Sequence, residues 1–351
     1  MKKFILIFIS IFTLTFSAKA QDGLESILLS GVADASKLTE AYINPAMKGL
    51  IFSMNGGWYH TAKVHKKFGF DISIGASLSQ VPTSDEIFNV ANLQLSSNIT
   101  QSPATSPTVA GLDNAATNGF EITIPANSDP DINGGIHPEL RANFTMPGGS
   151  KDDLPLNAVP APAVQFNLGL PYKLEAMLRL VPKVGSDNVK GQLLGIGLKK
   201  EITSWFGPLD KLPLHVSLLA AYTSMNVDYD IQNDTSINGS GQNAEFKLNS
   251  YTIEALASLN FPIINFFGGF GYNSGNSTLK MNGEYILEYQ PVAGGPTSTK
   301  TLRNPLSLDF DAGGFKTTLG TRISLGFFKI FGSYTFQEYN TINAGIAFSI
   351  R

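Results

Sequence analysis

The stretch FGFDISIGASLS, residues 68–79, decides the fold. Phe68, Phe70, Ile72, Ile74, Ala76 and Leu78 fall on one side of an extended chain. Gly69, Asp71, Ser73, Gly75 and Ser77 fall on the other. A helix would scatter the two sets around its circumference, whereas a strand sends successive side chains to opposite faces. The run is long enough to cross a bilayer as a strand, which takes about 9–11 residues.

The same alternation recurs down the chain. In VQFNLGL, Val164, Phe166, Leu168 and Leu170 alternate with Gln165, Asn167 and Gly169. After the turn at Pro171-Tyr172, Leu174, Ala176, Leu178 and Leu180 alternate with Glu175, Met177 and Arg179. Tyr251, Ile253, Ala255, Ala257 and Leu259 oppose Thr252, Glu254, Ser258 and Asn260, and Leu319, Ile323 and Leu325 oppose Lys316, Gly320, Arg322 and Ser324. The last segment, INAGIAFSIR, alternates to its end. A soluble sandwich alternates in the same way. Long segments, very short turns on one side with long polar loops on the other, and aromatic pairs near strand ends (Trp58-Tyr59, Trp205-Phe206, Phe266-Phe267, Phe327-Phe328) favour a membrane barrel instead.

Candidate strands fall near 50–60, 68–79, 86–95, 162–170, 173–183, 189–202, 213–229, 245–261, 264–289, 304–326, 328–338 and 341–350. The expected fold class is therefore all-β: an antiparallel transmembrane β-barrel of about 12 strands, or 14 if a long span hides another. Residues 50–351 would form the barrel, with 96–160 as a long surface cap or loop. Low charge fits this reading: 15% of residues are charged, against about 25% in soluble domains. The chain has 24 Phe, 34 Gly and no Cys, so disulfides play no part.

The chain opens MKKFILIFISIFTLTFSAKA. Lys2 and Lys3 precede an apolar run, and Ala18-Lys19-Ala20 is a small-x-small site, so residues 1–20 read as a cleaved secretory signal peptide. That places the protein in the bacterial outer membrane, exported and in contact with its lipid. The formal net charge is −3, which excludes a nucleic-acid partner on electrostatic grounds. Residues 21–49 show short helical patterns. Pro45 is expected to end one helix, and Asn44 to cap a new turn that has Pro45 at its first position. A helical hatch or plug over 21–49, ahead of the barrel, follows.

The segment ADASKLTEAYINPAMKGLIFSMNGGWYHTA, residues 33–62, resembles the N-terminal region of the long-chain fatty acid transporter family, the FadL-like barrels. The phrases NPAMKGL, GGWYHTAKVHK, GFFKIFGSY and YNTINAGI resemble a group of Bacteroidota outer-membrane barrels. The resemblance implies that Asn44, Pro45 and Ala46 form a hatch motif inside a barrel. It also implies passive uptake of small hydrophobic, fatty-acid-like ligands, with exit through an opening in the wall.

Six ionisable side chains fall on the lumen face: Asp71, Glu175, Arg179, Glu254, Lys316 and Arg322. Facing lipid at mid-membrane, a basic one would cost roughly 2–4 kcal/mol. They are expected to form a bracing charge network, with a ligand carboxylate at Arg179 or Arg322 as the sharper alternative. Asp129, Asp131 and Asn133 have the spacing of a calcium loop, although Leu140 stands where the last glutamate belongs; calcium is thus a candidate cofactor. His60 and His65 are expected to be solvated. No G-x-S-x-G, H-E-x-x-H or P-loop occurs, so no enzyme is expected. The competing functions are a channel for hydrophobic molecules, an accessory barrel recruiting protein partners through extracellular loops, and a membrane-embedded hydrolase.

Overall fold

A computed structural model describes residues 26–113, 119–185, 189–231 and 238–350, so the signal-peptide expectation for residues 1–20 lies outside the described residues. Among the described residues one α-helix, α1 (Val32–Met54), precedes sixteen strands. These are β1 (Phe70–Gln80), β2 (Ile87–Asn89), β3 (Ile99–Gln101), β4 (Thr105–Pro107), β5 (Phe120–Ile124), β6 (Leu140–Phe144), β7 (Ala158–Leu170) and β8 (Leu174–Gly185). They continue with β9 (Val189–Glu201), β10 (Leu214–Asp230), β11 (Asn238–Asn260), β12 (Ile264–Pro291), β13 (Ser298–Arg303), β14 (Leu306–Leu325), β15 (Phe328–Phe336) and β16 (Thr341–Ile350).

Fourteen strands form one antiparallel sheet. Ten of them close on themselves in the order β1-β7-β8-β9-β10-β11-β12-β14-β15-β16, with β16 returning to β1 from Phe70↔Ile350 to Ser79↔Thr341. The expected twelve to fourteen strands thus describe the whole sheet, and the ring is narrower. β3, β5, β6 and β13 hang from the upper part of β12, beyond the ring.

Burial separates this fold from a soluble sandwich. Ile196, Ile253, Phe270 and Leu319 are 57–60% exposed on the outside, while Asp71, Ser217 and Thr252 are fully buried within. Apolar out and polar in is stable only in lipid, since a water-soluble protein rarely leaves so continuous an apolar belt uncovered.

The longest connection, 81–157, lies at one end of the ring, while 171–173, 261–263 and 326–327 at the other end are short, as periplasmic turns of outer-membrane barrels are. The end with the longest connection carries a cap. Residues 96–160 contribute β3 to β6, and the 28-residue β12, far longer than a bilayer requires, rises to meet them. Phe120, Ile122 and Phe144 from the cap pack with Tyr285 and Leu287 of β12 and with Leu38 and Tyr42 of α1. The long segment is therefore a cap with its own core.

Two expectations are corrected at the N-terminus. Residues 50–60 are not a strand: α1 runs to Met54, and 55–69 cross to β1 without regular structure. Nor does Pro45 end a helix, for it sits inside α1. The ring costs Ala41 its carbonyl partner, an expense of about 3 kcal/mol in an isolated helix. Leu50, Ile51, Phe52, Ser53 and Met54 are all buried in succession, which happens only when a helix is enclosed on every side. Burial within the ring outweighs the proline. The third candidate strand, 86–95, is also corrected: only Ile87–Asn89 is extended, and it pairs with β4 in a separate two-stranded sheet.

Candidate functional site

Alternation sends every second side chain of the ring inward, and the plug meets them there. Each of the six lumen side chains reaches the segment 54–65. Arg179 donates from Nη1 to the Met54 carbonyl (3.1 Å) and from Nη2 to the Gly56 carbonyl (2.8 Å), while its Nε–H binds Gln165 Oε1 (2.8 Å). Its guanidinium lies 3.9 Å over the Trp58 ring. Lys316 Nζ donates to the Asn55 carbonyl (3.1 Å) and pairs with Glu254 Oε1 (2.7 Å). The C-terminus of α1, where unpaired carbonyls concentrate negative charge, is thus held between two cations.

Lower down, Glu254 Oε2 accepts from the Tyr59 hydroxyl (2.9 Å). Glu175 Oε2 accepts from the His65 backbone N–H (2.9 Å) and lies 2.7 Å from its Nδ1, while Oε1 pairs with Lys199 (2.7 Å). Asp71 Oδ2 is 3.3 Å from Nε2 of both His60 and His65. Arg322 Nη1 lies 3.0 Å from His60 Nδ1. Arginine only donates, so this ring nitrogen accepts and the His60 proton faces Asp71. His60 is therefore buried between Asp71 and Arg322, and His65 is half-buried between Asp71 and Glu175, which corrects the expectation that they are solvated.

Trp58 fits because Gly195 and Gly197 of β9 lie beneath it. A Cβ on either would come within 3.0–3.1 Å of the indole. Gly195, Gly197, Lys199 and Glu201 share the inward face of β9; Lys199 and Glu201, which the sequence reading missed, follow from the same alternation. His60 and His65 had no such signal, because they lie on an irregular segment.

Asn44, Pro45 and Ala46 lie on α1 at the level of the cap core, and Ala46 is buried within it. At the candidate calcium loop the acidic side chains are engaged by a lysine. Lys300 Nζ lies 2.7 Å from Asp129 Oδ2 and 3.4 Å from Asp131 Oδ2, while Asn133 donates to Ser298 Oγ (3.1 Å). An ammonium group occupies the position a cation would take, and among the described residues no group of His, Asp or Glu is placed to hold a metal. Burial alone would raise the Asp129 carboxyl, but hydrogen bonds from Lys300 and the Asp131 N–H hold it below its ordinary value.

Among the described residues, the β7–β8 seam of the wall is incomplete. β7 and β8 pair only from Leu170↔Leu174 to Gln165↔Arg179, although both continue toward the cap. Gly169 N–H points to β1, where it binds the Gly69 carbonyl (2.8 Å), so by alternation the even residues of β7 face β8. Beyond the last pair these include Pro162 and Pro160, which carry no N–H. On the other edge Pro182 lies where the β8–β9 register shifts, between Val181 and Val184. Three residues along the seam therefore have no N–H to give. A small cavity of about 20 Å³ lies between Gly57 of the plug and the inner faces of β1, β7 and β16, and Arg179 reaches it from β8.

Solved structures similar to this chain are outer-membrane barrels. Ail of Yersinia pestis, in complex with the heparin analogue sucrose octasulfate, is 8% identical, with 81% of this chain and 99% of that one covered and a TM-score of 0.27. The outer membrane protease OmpT of Escherichia coli is 9% identical, with 81% and 96% covered and a TM-score of 0.31. A deletion mutant of the monoaromatic hydrocarbon channel TodX is 10% identical, with 88% and 93% covered and a TM-score of 0.16. Scores this low leave the fold to be read from the strand pairing itself. The presence of a protease among them corrects the expectation of no enzyme: motifs of soluble enzymes do not decide the matter for a barrel, and at 9% identity the likeness assigns no activity. No curated protein matches the chain. A family model described as "Family of unknown function (DUF6588)" matches residues 1–350, and the chain belongs to that family.

Proposed function

We propose that this protein is a bacterial outer-membrane channel, exported by residues 1–20, that admits small hydrophobic molecules and releases them sideways through the β7–β8 seam. The seam is the observation that carries the reading. A hydrophobic solute crossing a plugged lumen has no reason to re-enter water, and an unpaired stretch of wall opens directly to lipid. Prolines on both edges remove three backbone donors from that stretch, so the opening carries fewer N–H groups that lipid leaves unsatisfied. The plug that fills the lumen, and the resemblance of residues 33–62 to FadL-like hatches, support the same reading. In it, Asn44-Pro45-Ala46 marks the point where α1 lacks one helical hydrogen bond and yields first.

The chain has no cysteine, so a clean test is available. Val164→Cys and Leu180→Cys flank the seam and can be joined by a short bis-maleimide. Cells carrying the linked protein are expected to take up radiolabelled fatty acid or toluene no faster than cells lacking it. Unchanged uptake overturns lateral release. The accessory reading draws on the cap, where Ile136 and Leu156 are 80% and 67% exposed. A protein that co-purifies through these residues, with no uptake activity, would favour it.

A further inference from the structure

At the periplasmic end the ring opens into a vestibule of about 720 Å³ that the channel reading does not use. Four cationic side chains line it: Lys63 and Lys66 from the plug's exit, Arg322 from β14 and Lys329 from β15; no Asp or Glu does. Lys63 and Lys66 are exposed, Lys329 is half-buried, and Arg322 is 7% exposed. Among the described residues none of the three ammonium groups pairs with a carboxylate.

The nearest acids are already engaged. Asp71 is shared by His60 and His65, and Glu175 is taken by His65 and Lys199. Arg322 spends Nη1 on His60, and its buried Nε has no partner among the described residues. A buried donor left unpaired costs roughly 1–3 kcal/mol, more when charged, and such groups normally have a partner. Phe261 and Phe327, 47% and 66% exposed, stand on the vestibule's rim at the level of the periplasmic turns. Aromatic side chains at that height mark the membrane interface.

We infer that the vestibule is a binding site for an oxyanion headgroup, a carboxylate or a phosphate, held by Arg322 and gathered by Lys63, Lys66 and Lys329. A planar guanidinium with free N–H groups suits two-point capture of such an oxyanion, while lysines on flexible stems supply charge without fixed geometry. The apolar rim accommodates a tail attached to the headgroup. The inference stands apart from lateral release at the seam, which lies on β7 and β8.

The test uses the full-length barrel in nanodiscs of zwitterionic phospholipid. Inorganic phosphate and octanoate are titrated calorimetrically against the native protein and against K63Q/K66Q/K329Q. This variant leaves every contact of the plug clasp in place, and a heat-shifted gel mobility confirms that it is folded. One bound anion per barrel is expected, with affinity at least about tenfold lower in the triple variant, the loss of one charge-assisted bond or more. R322K should weaken binding while retaining charge. Repeating the titration in nanodiscs containing phosphatidylglycerol separates the sources. Binding that persists identifies a soluble anion or free amphiphile as the occupant; binding that disappears identifies the lipid headgroup, and either result supports the site. No binding to the native protein, or equal binding to the triple variant, overturns it.

Discussion

The β10–β11 wall and the β7–β8 wall are built from similar residues and behave differently. β10 pairs with β11 along all 17 of its residues, from Leu214↔Leu259 to Asp230↔Asn243, without a shift. β7 and β8 are 13 and 12 residues long, yet pair only from Leu170↔Leu174 to Gln165↔Arg179. Neither difference in length nor loss of apolar alternation explains this, for Phe166 and Leu178 face lipid on the short ladder as Leu218 does on the long one. Proline does. A wall is continuous where every residue has an N–H to give, and it parts where Pro160, Pro162 and Pro182 have none. The plug is clamped at the same height: Arg179, the last rung of the short ladder, also grips the end of α1.

Breaking that clamp gives the largest expected effect. Arg179→Met removes three hydrogen bonds and leaves the Met54 and Gly56 carbonyls buried without partners. A loss of about 3–5 kcal/mol is expected, since each buried acceptor left unpaired costs roughly 1–3 kcal/mol. Urea unfolding in detergent micelles reads it, together with a rise in ion conductance as the plug loosens. A shift under about 1 kcal/mol would mean that Lys316 alone holds the helix end.

Sharpening the comparison from the other side means restoring donors. P160A/P162A should let the β7–β8 ladder extend toward the cap, give the two new N–H groups slow hydrogen exchange, and stabilise the barrel by about 1 kcal/mol per bond gained. If those two amides exchange fast, the seam is held open by the cap and not by proline.

Gly197→Val tests the neighbouring wall, where β9 is closed against Trp58. The added methyls meet the indole, and a loss of about 1–3 kcal/mol is expected, the usual cost of overfilling a packed site. Near-native melting would show that the plug shifts freely.

The smallest effect belongs to the cap, far from both walls. The Asp129 carboxyl is held below its ordinary value of 3.8 by Lys300, so its contribution is present above that value and fades as pH falls below it. The pair is partly exposed, and solvent limits the effect to no more than about 1 kcal/mol. Hydrogen exchange across residues 125–137 should quicken below pH 4 in the native protein, and Asp129→Asn should remove that dependence.

Strand alternation made the barrel legible because lipid outside and a polar interior impose a strict two-residue period on each wall. It placed Asp71, Glu175, Arg179, Glu254, Lys316 and Arg322 inside before any coordinates did. What it did not reveal was their common partner. Residues 54–65 have no period of their own, and nothing local in GGWYHTA says that Trp58, Tyr59 and His60 are destined for burial. α1 was misread because Pro45 is a breaker in isolation; only enclosure by the ring overrides it. The prolines of the seam were visible all along, but which edge they face depends on the register with β1, a long-range fact.

The chain passes through its own ring: α1 begins in the cap, residues 55–69 descend the lumen, and only then does β1 start the wall whose far edge, β16, is the last strand made. This order dictates the route of assembly. Since the ring is shut by β1 meeting β16, the expected route winds the wall around a plug already in place, with Arg179 and Lys316 guiding strands onto α1 as on a mandrel. A chain deprived of residues 26–69 has nothing to wind upon, and it should stall with its two edge strands unjoined.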